Sequence, residues 1–462
     1  MQLARLSPMR YLALCCDYDG TLATEGQVFP ETAAALERLI ASKRHAVLVT
    51  GRELDQLQTV CPYLHLFEYV VAENGALLYE PSTGKETLLA QRPPDSFVAT
   101  LRARDVGPIS VGRVIVATWE PHETVVLETI KDHGLELQVI FNKGAVMILP
   151  AGVNKATGLM AALKKMGLSP HNAVGVGDAE NDHALLALCE CGVAVANALP
   201  TLKEAADFVT TGARGAGVTE LISALLQDDL ASHEPELTRH HILLGLDSDD
   251  SEVRIHPYGE NILLTGTTGS GKSSLAATLL DGLCEAGYTF CVIDPDGAYE
   301  ATPGAVSLGA TNRPPSVEEV LKLFRSPDQS GVINLSGLQL AERRSFFTQL
   351  LPHLTQLRER TGRPHWLVID SEQAPAQGQQ TPSVLQITAR PSLLDRSALA
   401  EVNLLLATGN SPQEMIREFC QMTATPAPGM DPVSLPTGEV LAWRPQVRNA
   451  APFRLQIKPR TR

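Results

Sequence analysis

Leu12-Ala13-Leu14-Cys15-Cys16-Asp17-Tyr18-Asp19-Gly20-Thr21-Leu22 places five apolar residues directly ahead of two aspartates two positions apart and a glycine. The apolar run predicts a buried strand. Its end delivers both carboxylates into one crevice, and in open α/β sheets that carboxyl edge is where ligands bind. One carboxylate of such a pair can act as nucleophile and the other as general acid and base. Gly20 lets the backbone turn sharply beside a ligand.

Outward from this stretch, strand-like runs alternate with helical ones. Residues 31–42 read as helix, 46–50 and 69–72 as strands, 155–166 as helix and 173–177 as strand. Residues 179–189 are again helical, 193–196 a strand and 199–206 a short helix. This alternation predicts parallel βαβ units. Between 78 and 152 the pattern changes. Long strands at 111–119 and 139–149 flank a helix at 121–133, which reads as an inserted α+β module.

The partners of the first stretch follow in order. Val47-Leu48-Val49-Thr50-Gly51-Arg52 is a strand ending in a hydroxyl suited to a phosphate oxygen. Lys155 opens a helix after Val153-Asn154, where an ammonium can neutralise a phosphoryl group and an attacking carboxylate. Gly175-Val176-Gly177-Asp178-Ala179-Glu180-Asn181-Asp182 again brings carboxylates to a strand end. Asp17, Asp178 and a backbone carbonyl form a hard oxygen set that suits Mg²⁺.

In these residues the chain resembles the HAD superfamily, in particular its IIB branch (Cof-type, sucrose-phosphate-phosphatase-like). Glu73-Asn74-Gly75-Ala76 and Gly192-Val193-Ala194-Val195-Ala196-Asn197-Ala198 add to the likeness. The resemblance implies a Rossmann-like core over 1–77 and 153–226 and a C2-type cap over 78–152. It implies that Asp17 forms an aspartyl-phosphate and that Asp19 protonates the leaving group and then activates water. Thr50 and Lys155 would hold the phosphate. Mg²⁺ would sit among Asp17, Asp19 and Asp178, with Asp182 in support. Glu73, Asn74 and Gly75 are expected to form a structural turn. Arg52 either contacts substrate or pairs with an acid. Arg113, Trp119, His122, Asn142 and Lys143 are the cap's candidates for specificity, and the branch suggests a sugar phosphate or similar small phosphomonoester.

A second constellation opens the other half. Gly266-Thr267-Thr268-Gly269-Ser270-Gly271-Lys272-Ser273 follows a strand at 261–265 and precedes a helix at 272–285. Gly266, Gly269, Ser270 and Gly271 turn backbone N–H groups toward a phosphate. Lys272 reaches the outer phosphates, Ser273 ligates Mg²⁺, and Ser274 continues the helix start. Trp366-Leu367-Val368-Ile369-Asp370 reads as the strand that brings Asp370 to the metal shell. Further strands are expected at 289–294, 332–335, 384–388 and 402–407, with helices at 317–324, 341–360 and 393–399, so a second α/β P-loop domain spans 240–462. With Val292-Ile293-Asp294-Pro295-Asp296-Gly297-Ala298-Tyr299, this half resembles the HerA/FtsK-like P-loop ATPases over about residues 240–445. The resemblance implies ATP as ligand and homo-oligomerisation through this domain, with Thr408-Gly409-Asn410 as a sensor position. Where that group carries Glu after the aspartate, this chain has Ser371, with Glu372 one later. Slow hydrolysis, or binding without turnover, is the expectation.

Composition sets the remaining bounds. The formal net charge is −14, which argues against broad nucleic-acid binding because phosphate backbones need clustered cations. Arg343, Arg344, Arg358, Arg360 and Arg363 gather near one predicted helix and read as a solvated face. The eight cysteines form no pair of CxxC knuckles, so buried free thiols in a reducing, cytoplasmic setting are expected. No apolar run approaches the ~18 residues a membrane helix needs. Polar, acid-rich residues 227–239 read as a linker. The sequence thus predicts a Mg²⁺-dependent phosphomonoester hydrolase with an ATP-binding domain that regulates or assembles it. The alternatives are a nucleic-acid end-processing kinase-phosphatase and an ATP-dependent DNA-associated motor or switch with a HAD accessory domain.

Overall fold

The computed structural model describes residues 9–370 and 383–457. Ser371 and Glu372, and the basic stretch 458–462, lie outside the described residues. Two compact units divide the chain, one of Arg10–Thr238 and the other of Arg239–Arg462 with Met1–Met9.

The first unit is built on an eight-stranded sheet. Its strands are β1 (Ala13–Cys16), β2 (His45–Val49), β3 (Tyr69–Ala72), β4 (Leu77–Glu80) and β5 (Lys85–Leu88). A separate sheet holds β6 (Ser110–Val111), β7 (Val116–Trp119), β8 (Leu137–Asn142) and β9 (Ala145–Pro150). The main sheet resumes with β10 (Ala173–Gly177), β11 (Cys191–Ala194) and β12 (Phe208–Val209). The main order is β12-β11-β10-β1-β2-β3-β4-β5, parallel from β12 to β3. All four residues of β1 are buried, as expected for a strand covered on both faces. Cys16 pairs with Leu48 on one side and Val176 on the other. Asp17, Thr50 and Asp178 therefore leave the sheet at one edge.

Three expectations need correction. Residues 139–149 are not one strand but the β8–β9 hairpin. Its two-residue turn has both residues left-handed, Lys143 at φ 50° and Gly144 at φ 85°, which matches the twist of the flanking strands. Residues 111–119 are likewise two short strands. In addition, the β4–β5 hairpin extends the main sheet, so residues 78–88 belong to it, and the small sheet, ordered β6-β7-β9-β8, starts at Ser110. One face of that sheet packs Val116, Val146 and Ile148 against Phe97, Leu101, Val126 and Ile130 of two helices. The other face carries Met147 and Leu149 with Ala117 and Ile140.

Residues 227–239 are less of a linker than their composition suggests. A helix, Gly215–Asp228, runs into them. Asp229 accepts from Arg10 N (2.5 Å) and Arg44 (2.9 Å), and the His233 ring stacks on Phe208 at 4.1 Å.

The second unit has an eleven-stranded sheet. Its strands are β13 (Ile242–Asp247), β14 (Glu252–Ile255), β15 (Asn261–Gly266), β16 (Phe290–Asp294), β17 (Ala305–Leu308) and β18 (Ser330–Asn334), then β19 (Trp366–Asp370), β20 (Val384–Thr388), β21 (Leu404–Thr408), β22 (Glu439–Trp443) and β23 (Phe453–Ile457). The order is β14-β13-β23-β22-β21-β15-β20-β19-β16-β18-β17. From β21 to β17 it is parallel, and the β14-to-β22 side is antiparallel. The Gly-rich loop thus leaves a central strand, and β20 lies between it and the strand ending at Asp370. Helix α1 (Lys272–Glu285) follows the loop. The arginine cluster is not all solvated: Arg363 is buried and donates to Ser326 O at 3.0 Å. Seven of the eight cysteines are buried and all are free thiols. No helix among the described residues is long and apolar enough to cross a membrane.

Candidate active site and phosphate-binding loop

Asp17 leaves β1 into a crowd of carboxylates. Oxygens of Asp17, Asp178 and Asp182 lie within 4.8 Å of one another, and all three residues are buried. The Lys155 ammonium, 1% exposed, lies 2.6 Å from Asp17 Oδ1 and 2.6 Å from Asp182 Oδ1. Lys155 is held by its helix start. Asn154 caps Lys155–Met166 in a reciprocal capping box with Thr157, a device that fixes the first turn. The other Asp182 oxygen accepts from the N–H groups of Asp178 and Ala179, each at 3.0 Å. Both Asp182 oxygens are thereby engaged, so it organises the turn and the lysine rather than offering a free ligand atom.

Charge follows this geometry. Burial, then the Asp182 carboxylate, pushes Asp17 up to about 7 despite the lysine. Burial pulls Lys155 down, but Asp17 and Asp182 outweigh it and hold the ammonium above the usual lysine range. Burial also raises Asp178, against the pull of Lys143.

Lys143 reaches in from the β8–β9 turn. Its ammonium donates to Asp178 Oδ2 at 2.8 Å and to the Asp19 carbonyl at 3.0 Å. A Cβ on Gly20 would fall 2.3 Å from Asp178 Oδ2 and 2.7 Å from that ammonium, so the position has room only for glycine. Arg52 takes the Asp19 carboxylate in a two-pronged grip, 2.6 and 2.7 Å, and its guanidinium lies over Tyr18. Of the two roles open to Arg52, the structure displays the pairing with an acid. Thr50 is buried, and its hydroxyl accepts from Arg52 N at 3.1 Å.

Three of the other cap candidates do not converge on this point. Arg113 pairs with Asp55 and Glu86, His122 Nε2 meets Gly107 O at 3.0 Å, and Trp119 is half-exposed. The fully buried Glu73 does more than form a turn: its carboxylate accepts the N–H groups of Arg113, Val114 and Ile115 at 2.7–2.9 Å. Asn197 was not anticipated as a site residue. Its amide donates to Gly20 O at 2.9 Å and lies 3.3 Å from Asp178 Oδ2.

The residues fit a divalent cation. The donor set is hard oxygen throughout, and a cationic ammonium already lies on two of its atoms, Asp178 Oδ2 and the Asp19 carbonyl.

In the second unit the loop 266–273 wraps back on itself. Lys272 Nζ donates to Gly266 O (2.7 Å) and Thr267 O (3.1 Å). Gly269 and Gly271 take left-handed backbone, while Ser273 and Ser274 are exposed on the first turn of α1. The Asp294 carboxylate accepts four N–H groups, from Asp296 to Tyr299, which explains the Asp-Pro-Asp-Gly sequence as a tight turn. That turn aims Tyr299, whose hydroxyl donates to Asp370 Oδ2 at 2.9 Å beside Ser273. Burial raises Asp370, and Tyr299 opposes the shift. Thr408 lies against the loop itself: its hydroxyl is 2.6 Å from Ser270 Oγ.

Comparison with known proteins agrees with both halves. Residues 14–104 and 109–222 match the family model of haloacid dehalogenase-like hydrolases, and residues 244–361 match that of helicase HerA, central domain. Phosphoglycolate phosphatase 2 of Saccharolobus solfataricus is 30% identical over 223 residues, covering 46% of this chain and 92% of the relative. The phosphoglycolate phosphatase of Natronomonas pharaonis is 31% identical over 220 residues, covering 45% and 95%. Among solved structures, a haloacid dehalogenase-like hydrolase from Bacteroides thetaiotaomicron aligns at a TM-score of 0.42 and 17% identity, over 47% of this chain and 100% of its own.

Proposed function

The N-terminal half of this chain belongs to the haloacid dehalogenase-like hydrolases, and on that footing we propose that it is a Mg²⁺-dependent phosphomonoesterase working through an aspartyl-phosphate on Asp17. The observation that carries the reading is the buried group of Asp17, Lys155, Asp182 and Asp178 at one sheet edge. Asp17, Asp178 and the Asp19 carbonyl would hold the metal. Bound there, Mg²⁺ would neutralise charge on the phosphoryl oxygens.

The chain's own groups do the rest. A carboxylate oxygen of Asp17 bonds to phosphorus as the ester P–O bond breaks. Asp19 gives its proton to the departing oxygen. Asp19 then takes a proton from water, whose oxygen attacks phosphorus and breaks the bond to Asp17, releasing phosphate. For this Asp19 must come free of Arg52, which makes Arg52 a positioning residue. Lys155 balances charge on Asp17 and the phosphoryl group, and the Thr50 hydroxyl would donate to a phosphoryl oxygen.

Within the small phosphomonoesters, the relatives' names favour a phosphorylated acid, 2-phosphoglycolate first. The C-terminal half carries a HerA-like domain. We read it as an ATP site, with Lys272, Ser273 and Asp370 at the phosphates and metal, whose occupancy regulates or assembles the hydrolase. The same match favours a second reading for that half alone, an ATP-driven DNA motor, which DNA-stimulated ATP turnover would support. The test of the main reading is phosphate release from 2-phosphoglycolate with Mg²⁺ and with chelator, each with and without ATP. Release that needs Mg²⁺ and responds to ATP is expected. Equal release in chelator would refute the metal, and indifference to ATP would refute the coupling.

A further inference from the structure

We propose that Lys143 selects substrates bearing a second anionic group, because its ammonium must leave the metal-ligating oxygens when Mg²⁺ binds and then pairs with the carboxylate of a bound phosphorylated acid. The inference rests on the phosphatase reading above and adds to it a residue and a class of leaving group.

Three observations carry it. First, Lys143 Nζ lies on Asp178 Oδ2 and on the Asp19 carbonyl, two of the oxygens assigned to the metal. Like charges that close repel strongly, so ammonium and metal ion compete for them. Second, the lysine is free to move. Its side chain remains 46% exposed while Asp178 is only 4% exposed, and a long stem lets the charge swing while its backbone stays put.

Third, the backbone holds the ammonium over the cleft. Lys143 is the first residue of a two-residue turn at φ 50°, a conformation that side chains larger than Asn or Asp rarely adopt. The strand that follows the turn approaches the catalytic edge, since a Cβ on Gly51 would lie 3.5 Å from the Met147 sulfur. Cross-strand pairing puts Trp119 opposite Ala145, and Ala117 and Ile140 opposite Met147. These side chains share one face and carry no charge. Arg113 is committed to Asp55 and Glu86. A displaced Lys143 therefore offers positive charge to whatever anion enters beneath that face. A phosphorylated acid supplies one, and a neutral leaving group does not.

The experiment uses the full chain in three forms: unmodified, Lys143→Met and Lys143→Arg. Mg²⁺ alone is titrated calorimetrically into each after chelator treatment. Hydrolysis of 2-phosphoglycolate and of p-nitrophenyl phosphate is then compared as a ratio of kcat/KM values. Removing the competitor should tighten Mg²⁺ binding in Lys143→Met by about threefold, the scale of a half-exposed ion pair. The phosphoglycolate-to-aryl ratio should fall about tenfold or more, mostly through KM, as expected for loss of a charge-assisted contact to one substrate only. Lys143→Arg should keep most of the ratio. A ratio in Lys143→Met within about twofold of the unmodified chain, or unchanged Mg²⁺ affinity, would overturn the proposal. If the unmodified chain hydrolyses neither ester, the phosphatase reading falls, and the calorimetry still decides whether lysine and metal compete.

Discussion

The Lys155 ammonium lies 2.6 Å from Asp17 Oδ1, with 1% of the lysine side chain and 6% of the aspartate side chain exposed. Asp182, itself fully buried, shares the same ammonium. One buried cation thus serves two buried anions, and none of the three could stand there alone.

Removing that cation should cost more than activity. Lys155→Met leaves two carboxylates buried without a counter-charge, and breaking such a pair from one side costs about 3–5 kcal/mol. Urea denaturation at pH 8 checks this, and adding Asp17→Asn should restore part of the loss. A change below about 1 kcal/mol, the range of a surface pair, would contradict the burial argument.

Metal binding should depend on pH in a set direction. Burial and Asp182 push Asp17 up to about 7. A carboxyl with a raised pKa holds its proton below that value, whereas the metal needs the carboxylate, so Mg²⁺ displaces a proton there. Affinity should strengthen as pH rises from 6 to 8, with proton release on binding near neutrality. Calorimetry in two buffers of different ionisation heat measures both. Flat affinity across that span would sink the prediction.

Glu73 ties the connection between β6 and β7 to the end of β3 through three backbone N–H groups. Glu73→Gln keeps the shape but turns a donor toward donors. Leaving buried N–H groups unmet should cost about 1–3 kcal/mol. A thermal melt of the variant reads this, and an unchanged midpoint would mean that the segment finds other acceptors.

On the other unit, Lys272→Ala should weaken ATP binding by about tenfold to a hundredfold, the scale of a lost charge-assisted contact. The lysine also donates to the loop's own carbonyls, so a thermal melt of the variant, run beside the calorimetry, separates loss of the phosphate contact from loosening of the loop. Retained affinity by calorimetry would contradict the assignment of the loop.

What could be read in the chain was local. The stretch around Asp17, the Thr50 and Asp178 strand ends and the Gly266–Ser273 loop each combine an apolar run with a turn, so short-range pattern placed them. Only half of the Asn142-Lys143-Gly144-Ala145 turn was written locally, since Gly144 suits left-handed backbone and Lys143 does not. It was lost because apolar residues on both sides merge into one apparent strand. The roles of Glu73, Arg52 and Asn197 depend on partners 17 to 177 positions away, and single-sequence periodicity carries no such information. The helix Pro412–Thr423 had a start signal in Ser411-Pro412, a proline at the first helical position.

The most direct test compares Mg²⁺-dependent phosphate release from 2-phosphoglycolate by the unmodified chain and by Asp17→Asn under identical conditions. With Asp17 as the attacking group, the variant should lose about 10⁴-fold or more in kcat, as enzymes do when the nucleophile is removed. A variant that keeps its rate within about tenfold would show that phosphorus is attacked by something other than Asp17.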